Sequence, residues 1–344
     1  MILKNGRVLG EGQKPYIVAE LNTSHKGKKD LAKKMIIEAK QCGCDAVKFQ
    51  SWTADSLYSR DYYEANPMSK RIVDGLSMNN EVLLELVGFC KEIGIDFSST
   101  PYSEEEVDFL CDQCQVPFIK IASMDINNVP FIRYIASKQM PIVLSTGMST
   151  IEEIKDAINE IEACNNNQIC ILHCVSVYPV ENRDVNLNNI KMLKDEFPAY
   201  EVGYSDHTIG MEAACAAIAL GAGMIEKHFT LDNSKIGWDN QMATEPEMMK
   251  NLVSGCHEVF DALGSYKRNI SKEEMDQRKK MRRSIVAARD LKAGDIIREE
   301  DITAKRPGNG ISVDCYNRII GRKLLNDVKS DHLIMEADIE GDCK

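Results

Sequence analysis

Short apolar runs, many of them β-branched, alternate along the chain with longer segments of helical periodicity. Eight such runs occur before residue 230, at Tyr16–Glu20, Ala46–Gln50, Asp96–Thr100, Phe118–Ala122, Pro141–Ser145, Ile169–Cys174, Glu201–Tyr204 and Met224–His228. A short unbroken apolar run is typical of a strand that is covered on both faces. The pattern therefore predicts eight strands of a buried parallel sheet.

Helical periodicity fills the segments between and after these runs, at 29–42, 80–93, 103–114, 127–138, 149–163, 186–196, 210–221 and 245–263. Ser149 and Thr150 offer hydroxyl caps to one of these helices, and Glu152 and Glu153 place acids in its first turn, where the helix dipole favours them. Alternating strands and helices imply parallel pairing, and eight units imply a closed (β/α)₈ TIM barrel. The alternative is an open doubly wound sheet, but no GxGxxG follows the first strand.

The composition changes after the last of these helices. Residues 264–283 are polar and heavily charged, which indicates a helix or a linker that leaves the barrel. From Ser284 onward, short β segments alternate with turn signals at 292–295 and 307–310. We therefore expect a barrel over residues 1–265, a charged linker over 266–283 and a small β-rich domain over 284–344. The long connection 51–79 after the second strand is expected to contact substrate.

The charge balance excludes several classes of function. The net charge is −11, and nucleic acids and anionic membranes both require a basic surface. The cluster RKKMRR at 278–283 has the charge of a nucleic-acid patch, but a solvated charge run explains it better. No apolar run is long enough for a membrane span, and the first residues lack a signal-peptide core. A cytoplasmic protein with no nucleic-acid or membrane partner is expected.

The chain has twelve cysteines, most of them within apolar segments. Cys111 and Cys114 form a CxxC pair, but no second pair accompanies them. A structural zinc ion needs four ligands, so buried reduced thiols are the favoured interpretation over a zinc or redox site.

Polar residues stand at nearly every predicted strand end, where the active site of such a barrel lies. They are Glu20, Lys48, Gln50, Ser99, Thr100, Lys120, Ser123, Asp125, Ser145, Thr146, His173, Ser176, Tyr178, Ser205, His207, Glu226 and His228. A barrel selected for packing alone would not require so many polar residues at one end. The pattern predicts an enzyme.

Two kinds of binding site follow from these residues. Lys48 and Lys120, each inside an apolar run, indicate a cradle for a phosphate or carboxylate rather than lysines that merely reach toward solvent. Hydroxyl groups of Thr100, Ser123 and Ser205 would complete it. Two histidines, His207 and His228, end neighbouring strands and predict a divalent-metal site with positions open to substrate oxygens.

Acidic and weaker candidates remain open at this point. Glu20 and Asp125 stand at strand mouths, either as solvated rim carboxylates or as groups that move protons and hold hydroxyls. The remaining histidines near strand ends, His25 and His173, are weaker metal candidates. A lone histidine at such a position is more often a hydrogen-bonded core residue.

Nine sequence motifs occur in the same order as in the N-acetylneuraminate (sialic acid) synthase family, which the chain resembles over nearly its whole length. They are YIVAEL…SHKG, DAVKFQ, SSTP, FIKIAS, LSTGMST, LHCVSVYP, GYSDHTIG, IEKHFT and KRPGNGIS. The resemblance implies a TIM barrel followed by an antifreeze-like (SAF) domain and a domain-swapped homodimer. It implies condensation of phosphoenolpyruvate with N-acetylmannosamine to a nine-carbon 2-keto sugar acid, with release of phosphate. The cofactor implied is a divalent metal, usually Mn²⁺, with Mg²⁺ as the alternative.

The resemblance also assigns roles to residues. Lys48, Thr100, Lys120, Ser123 and Ser205 would hold phosphoenolpyruvate, and His207 and His228 would bind the metal. Around the sugar it places Glu20, Gln50, Tyr178 and Asp239, with Arg306 reaching the N-acetyl group from the partner's small domain.

Some positions depart from the family's commoner pattern, namely Asp125, Ser24-His25, Ser176 and the unusual Trp238 before Asp239-Asn240. They leave the phosphoenolpyruvate half intact and put the sugar in question, so a legionaminic-type synthase acting on 2,4-diacetamido sugars is the alternative. Two rival functions fit the residues less well. A metal-dependent hydrolase would want a His-x-His after the first strand, which is absent, and a non-catalytic carbohydrate-binding protein would not need the polar strand ends.

Overall fold

A computed structural model describes residues 1–10 and 12–341 of the chain. The chain divides into two compact units, Met1–Gly264 and Ser265–Lys344. The last residues of the predicted small domain, 342–344, lie outside the described residues.

The first unit contains the eight predicted strands in one parallel sheet. They are β1 (Tyr16–Glu20), β2 (Ala46–Gln50), β3 (Asp96–Thr100), β4 (Ile119–Ile121), β5 (Ile142–Ser145), β6 (Ile169–Cys174), β7 (Glu201–Asp206) and β8 (Met224–His228). Their order is β3-β2-β1-β8-β7-β6-β5-β4. At the seam between β3 and β4 the Ser98 hydroxyl donates to the Phe118 carbonyl at 3.3 Å. The predicted barrel is confirmed, with β4 shorter and β7 longer than expected.

Helices follow the strands as the periodicity predicts. They are α1 (Lys29–Gln41), α2 (Ala54–Leu57), α3 (Arg60–Ala65), α4 (Pro67–Leu76), α5 (Asn80–Ile93), α6 (Glu104–Asp108), α7 (Val129–Ser137), α8 (Ile151–Ala163), α9 (Asn188–Glu196), α10 (Glu212–Ala219) and α11 (Pro246–Leu263). Thr150 caps α8 through a capping box with Glu153, as expected from the hydroxyl and the acid. The predicted single helix 103–114 instead changes after Asp108 into a π-helix over Phe109–Cys114.

The core has two layers because alternate strand residues face opposite sides of the sheet. Ile17, Ala19 and Val47 face the helices, whereas Tyr16 and Val18 fill the barrel interior. Leu3 and Leu9 of the N-terminal segment, which forms an isolated bridge between Ile2 and Val8, pack in the same interior cluster. The interior of the lower barrel is therefore filled with apolar side chains, and its polar inward positions lie toward the carboxyl ends of the strands.

The long connection 51–79 folds into α2, α3 and α4 and has a small core of its own. Trp52, Ala54 and Val73 are buried there, with Tyr63 and Tyr102 packed against them. The Ser56 hydroxyl donates to Glu106 Oε1 at 2.6 Å and the Tyr102 amide donates to Glu106 Oε2 at 2.6 Å, so α6 holds this segment in place.

The second unit consists of α12 (Lys272–Met281), an antiparallel pair β9 (Ser284–Ala287) and β10 (Ile302–Lys305), α13 (Tyr316–Ile319), and 3₁₀ turns at Glu299–Asp301, Val313–Cys315 and Glu336–Asp338. A separate apolar cluster that includes Ile285, Leu291 and Ile334 forms its core. This unit consists mostly of β segments and turns, as expected. The charged stretch, which the sequence predicts to be either a helix or a linker, contains the helix α12.

The helices of the described part of the chain are too short or too polar to cross a bilayer. Cys111 and Cys114 are buried free thiols, and burial raises their pKa to about 11 and about 12. This agrees with the interpretation of buried reduced thiols.

Candidate active site

The inward-facing positions of the strands are apolar at the start of each strand and polar at its end. On β1 and β2, Tyr16, Val18 and Ala46 belong to the interior cluster, and the next inward positions are Glu20 and Lys48. The same alternation gives Lys120 on β4 and the inward polar residues at the ends of the other strands. The sequence thus places its charged residues in one buried layer at the mouth of the barrel.

Lys48 is the centre of a buried charge network. Its ammonium pairs with Glu20, lies 3.7 Å from Glu226 Oε2 and donates to Thr100 Oγ1 at 3.0 Å. The Ser205 hydroxyl donates to Glu226 Oε1 at 3.1 Å. The structure therefore brings the predicted Lys48, Thr100 and Ser205 together, and it adds two carboxylates to what the sequence suggested as a purely cationic cradle.

Burial and pairing shift the pKa values in this network in opposite directions. Burial raises the pKa of Glu20 to about 7 even though Lys48 opposes that change. Burial alone would lower the pKa of Lys48, but Glu20 and Glu226 outweigh it and the pKa is raised. The pKa of Glu226 is lowered because Lys48 and Lys120 overcome the effect of its burial. At neutral pH, Glu20 is thus a carboxyl group that can hold or release a proton.

Lys120 is buried on β4 without a carboxylate partner in hydrogen-bond contact. Its ammonium donates to Ser145 Oγ at 2.6 Å and to the Ile121 carbonyl at 2.9 Å. Burial lowers its pKa. Because its hydrogen-bond partners are neutral, an anionic ligand can bond this ammonium without displacing a carboxylate.

Ser123 and Ser176 meet at the loop that follows β5. The Gly147 amide donates to Ser123 Oγ at 3.0 Å. A Cβ built on Gly147 would lie 2.2 Å from Ser176 Oγ and 2.8 Å from Ser123 Oγ, so only glycine allows this close approach. The two predicted serines therefore share one corner of the site, with Cys174 3.7 Å from Ser123 Oγ.

The two histidines lie side by side at the ends of β7 and β8. The ring centroids of His207 and His228 are 5.3 Å apart, and the Tyr178 ring lies 4.2 Å from that of His207. His207 Nδ1 is 2.7 Å from the Val175 carbonyl, which fixes the proton on Nδ1 and leaves Nε2 as the free nitrogen. Burial lowers the pKa of His228 well below its ordinary value, so that ring is neutral.

Asp239 approaches the histidines from the loop after β8. Its Oδ2 lies 3.6 Å from His228 Nδ1 and accepts from the Asn22 amide. Burial raises the pKa of Asp239. Asp239, Asn22 and the histidine pair thus form a second cluster beside the lysine network.

These donors fit a divalent ion that shares its coordination with substrate. Two neutral-capable imidazoles and a nearby carboxylate are donors that Mn²⁺ and Mg²⁺ sites use. Within residues 1–10 and 12–341, no group of three or more His, Cys, Asp or Glu side chains has the spacing of a complete metal site. The protein would therefore supply two ligands, His207 and His228, and leave the other positions to water and substrate oxygens.

Gln50 and Asp125 stand at the edge of this arrangement. Gln50 Oε1 accepts from Trp52 Nε1 at 2.8 Å and from the Tyr102 hydroxyl at 3.3 Å. Asp125 lies on the 3₁₀ turn Ser123–Asp125, and burial raises the pKa of its carboxyl. Its Oδ2 is buried with no hydrogen-bond partner among the described residues. Asp125 is thus poised for a ligand, whereas the Gln50 oxygen is already used by neighbouring side chains.

Arg306 belongs to the second unit, and the two weaker histidines belong to the barrel core. Arg306 is exposed in the second unit, directly after β10. His25 accepts from the Gly27 amide at 3.1 Å and packs on Phe49, and burial lowers its pKa to about 4. His173 bonds the Val185 carbonyl at 2.7 Å. Both weaker histidines are hydrogen-bonded core residues.

Three further residues belong to the site, although the sequence assigned no role to any of them. Glu226 stands at a predicted strand end. It lies two residues before His228 on β8, so strand alternation places both side chains inside the barrel, and this spacing is a usable signal. Gly147 and Asn22 lie on loops, where neither periodicity nor residue type reveals what a side chain or backbone amide will reach.

Comparison with known proteins shows what the chain resembles. Residues 35–268 match the NeuB family, and residues 282–340 match the SAF domain. An uncharacterised protein of Methanocaldococcus jannaschii is 40% identical over 338 residues, which is 98% of each chain. An N,N'-diacetyllegionaminic acid synthase of Campylobacter jejuni is 38% identical over 337 residues, covering 94% of this chain and all 100% of that protein.

A solved structure gives the same result in three dimensions. The N-acetylneuraminic acid (sialic acid) synthetase of Leptospira borgpetersenii superposes with a TM-score of 0.74 at 30% sequence identity. The match covers 80% of this chain and 94% of that one.

Proposed function

The chain belongs to the NeuB family, as the sequence motifs predicted, and we propose that it condenses phosphoenolpyruvate with an acetamido hexose. The products would be inorganic phosphate and a nine-carbon 2-keto sugar acid. One observation carries the proposal, namely that two buried lysines, Lys48 and Lys120, lie in one layer with two imidazoles on adjacent strand ends. Such a layer can hold a small polyanion beside a polarised carbonyl.

Phosphoenolpyruvate would bind on the lysine side of the site. Lys120 has only neutral hydrogen-bond partners, so its charge is available to the phosphate or the carboxylate. Lys48, with Thr100 beside it, would hold the other anionic group. Ser123 and Ser205 would add hydroxyl donors. Gly147, which has no side chain, would let the loop backbone beside Ser123 and Ser176 come close to the ligand.

The sugar would bind on the histidine side. A divalent ion held there by His207 and His228 would supply a Lewis acid for the aldehyde oxygen of the open-chain sugar. Asp239 and Tyr178 lie next to the histidines and would contact sugar hydroxyls. Two further residues would border the sugar. They are Gln50 at the end of β2 and Ser176, whose hydroxyl lies beside Gly147.

The reaction balances without a redox partner. Carbon 3 of phosphoenolpyruvate forms a bond to the aldehyde carbon, whose oxygen gains a proton and becomes a hydroxyl. Water adds to carbon 2, and the tetrahedral intermediate expels phosphate by cleavage of its carbon–oxygen bond, leaving the ketone. Holding both reactants in one buried site supplies proximity, and the lysines stabilise the leaving phosphate.

Glu20 and Asp125 would move the protons. The pKa of about 7 lets the Glu20 carboxyl exchange a proton near neutral pH, and Lys48 holds it at the centre of the site. Asp125 carries a buried oxygen with no partner among the described residues, so it would bind a sugar hydroxyl or the reacting water.

A second copy of the chain would complete the site. Arg306 is exposed on the second unit, and we expect it to reach the acetamido carbonyl in the barrel of a partner within a domain-swapped homodimer. N-acetylmannosamine and 2,4-diacetamido hexoses are the two acceptor classes considered.

The proposal is tested by phosphate release with purified protein, phosphoenolpyruvate and Mn²⁺. We expect phosphate only when an acetamido hexose is added, and none after the divalent ion is chelated. Ester or amide hydrolysis without phosphoenolpyruvate would favour the hydrolase instead. Sugar binding that depends on neither metal nor phosphoenolpyruvate would favour the carbohydrate-binding protein.

A further inference from the structure

Two tryptophans meet at the mouth of the barrel. The ring centroids of Trp52 and Trp238 are 5.7 Å apart with 36° between their planes. Trp52 follows β2, and Trp238 lies in the loop after β8. Because β1 pairs with β2 on one side and β8 on the other, the contact bridges these strands across the end of β1, where Glu20 lies.

The indole of Trp52 is fixed in this position. It is 3% exposed, and its Nε1 donates to Gln50 Oε1 at 2.8 Å. Trp52 therefore gives Trp238 a rigid surface to pack on.

The loop that carries Trp238 is also fixed, and other residues hold it. The Asn240 amide donates to the Asp232 and Lys235 carbonyls at 2.8 Å each and accepts from the Thr230 hydroxyl at 2.6 Å. A Cβ on Gly237 would lie 2.8 Å from Asn240 Cβ, so the chain turns tightly before Trp238. The indole contributes none of these bonds, so its removal leaves the loop's hydrogen bonds in place.

Trp238 nevertheless keeps 45% of its surface exposed. The next residue, Asp239, contacts Asn22 and lies 3.6 Å from His228 Nδ1. An open indole therefore adjoins the proposed sugar site. Ligand pockets are typically lined by such aromatic surfaces together with a few polar groups that fix orientation.

Asn22 provides a polar group of this kind. It is 5% exposed, and its Oδ1 has no hydrogen-bond partner among the described residues. Its Nδ2 donates to the Asp239 carboxylate, so the reversed amide would place two oxygens against each other. Oδ1 is therefore a buried acceptor that a ligand donor can satisfy, next to the residue that follows Trp238.

We propose that Trp238 determines the acceptor by packing a second acetamido group of the sugar. The acetyl methyl lies on the open face of the Trp238 indole, and the amide N–H donates to Asn22 Oδ1. N-acetylmannosamine has a hydroxyl at carbon 4, which leaves the indole surface uncovered. The acceptor class is therefore a 2,4-diacetamido hexose. This inference rests on the proposed condensation.

The test compares two acceptors in three proteins, with phosphate release as the readout. The acceptors are a 2,4-diacetamido hexose and N-acetylmannosamine, and the proteins are wild type, Trp238→Ala and Ile236→Ala. Ile236 is 87% exposed on the same loop and serves as the matched control. We expect at least a tenfold preference for the diacetamido sugar in wild type and in Ile236→Ala, and less than threefold in Trp238→Ala.

The loss should appear in the KM of the diacetamido sugar, with kcat and the KM of phosphoenolpyruvate within twofold of wild type. Trp238→Phe, which keeps an aromatic face, should restore part of the preference and replaces the alanine variant if that protein fails to fold. A preference unchanged in Trp238→Ala, or a wild type that favours N-acetylmannosamine, overturns this inference and leaves the condensation standing. No phosphate from wild type with either sugar overturns both.

Discussion

At the scale of single residues, the two lysines of the site differ in the charge of their partners. Lys48 pairs with Glu20 and lies 3.7 Å from Glu226 Oε2, so its removal would leave the buried Glu20 carboxyl without its paired cation. Lys120 has only a hydroxyl and a carbonyl as hydrogen-bond partners. Substitution of Lys120 should therefore affect the ligand while leaving the stability of the fold nearly unchanged.

Lys120→Met should lower kcat of phosphate release by about 10²–10³-fold, because one cation that stabilises the leaving phosphate is lost. The unfolding midpoint should stay close to that of wild type, since methionine fills a similar volume, Lys120 bonds no carboxylate directly, and Lys48 still lies beside Glu226. Steady-state phosphate release and urea unfolding check the two halves.

Lys155→Met is the control, because Lys155 pairs with Glu196 at the surface of α8. It should leave the kinetics unchanged, as exposed ion pairs contribute little. An equal loss of activity in both variants would mean that total charge, rather than the buried position of Lys120, is responsible.

Gly147→Ala should abolish turnover for a steric reason. The added methyl would lie 2.2 Å from Ser176 Oγ and 2.8 Å from Ser123 Oγ, so either these hydroxyls leave their positions or the loop after β5 moves away from them. Gly88→Ala is the matched control, since its Cβ meets nothing within 4 Å on α5. That substitution should keep full activity and stabilise the protein by about 0.5–1 kcal/mol, as measured by urea unfolding. Full activity in Gly147→Ala would contradict the role of this corner.

At the scale of elements, Glu106 joins α6 to the segment 51–79. Its carboxyl bonds Ser56 and the Tyr102 amide, and burial raises its pKa from 4.5 to about 7. As pH rises between these values, the unfolded chain loses the proton before the folded protein does. The free energy of unfolding therefore falls across pH 4.5 to 7, by up to about 3 kcal/mol from this residue.

Glu106→Gln should remove this pH dependence because the amide cannot ionise. Its oxygen can still accept from the Tyr102 amide, and its NH2 group can donate to Ser56 Oγ, which reverses the direction of that bond. At pH 8 the variant should be more stable than wild type, whereas below pH 4.5 the two should agree. Urea unfolding at several pH values gives the comparison. Parallel curves for the two proteins would show that Glu106 has an ordinary pKa.

The sequence predicts the barrel strands and most helices because each signal is local. Strands buried on both faces are continuous apolar runs, and Thr150 with Glu153 marks a helix start without help from the rest of the fold. The π-helix after Asp108 changes register within one apolar pattern, which periodicity alone does not resolve.

The segment 51–79 and the loop residues of the site were harder to predict for a related reason. Its three short helices are held by the contacts of Trp52 and Val73 and by Glu106 from a distant helix. Strand alternation predicts that Lys48 and Lys120 point into the barrel and so belong to the site. Asn22, by contrast, belongs to the site because the loop after β8 brings Asp239 into contact with its side chain.

At the scale of the whole molecule, the proposed function requires a chain of net charge −11 to attract a polyanion through local fields. The buried ammonium groups of Lys48 and Lys120 would supply such a field at the barrel mouth. Arg306 would add a third cation from the partner copy.

Arg306→Ala should weaken sugar binding by about 1–3 kcal/mol, or roughly 5- to 150-fold in Kd, because one donor to the acetamido carbonyl is lost. Phosphoenolpyruvate binding should not change. Calorimetric titration of each ligand separates the two, and an unchanged sugar affinity would contradict the role of Arg306.

Co-expression of Lys120→Met with Arg306→Ala tests whether Arg306 acts across the dimer. Each mixed dimer would contain one site with both residues intact, so about a quarter of wild-type activity should return. Activity no higher than the mean of the two variants alone would show that Arg306 does not serve the partner's barrel.

The most direct test of the condensation follows the bridging oxygen of phosphoenolpyruvate by mass spectrometry. With ¹⁸O at the bridge and an acetamido hexose as acceptor, we expect labelled phosphate and an equal amount of an unlabelled nine-carbon keto acid. Label retained in pyruvate, or phosphate formed without the nine-carbon acid, would contradict the proposed reaction.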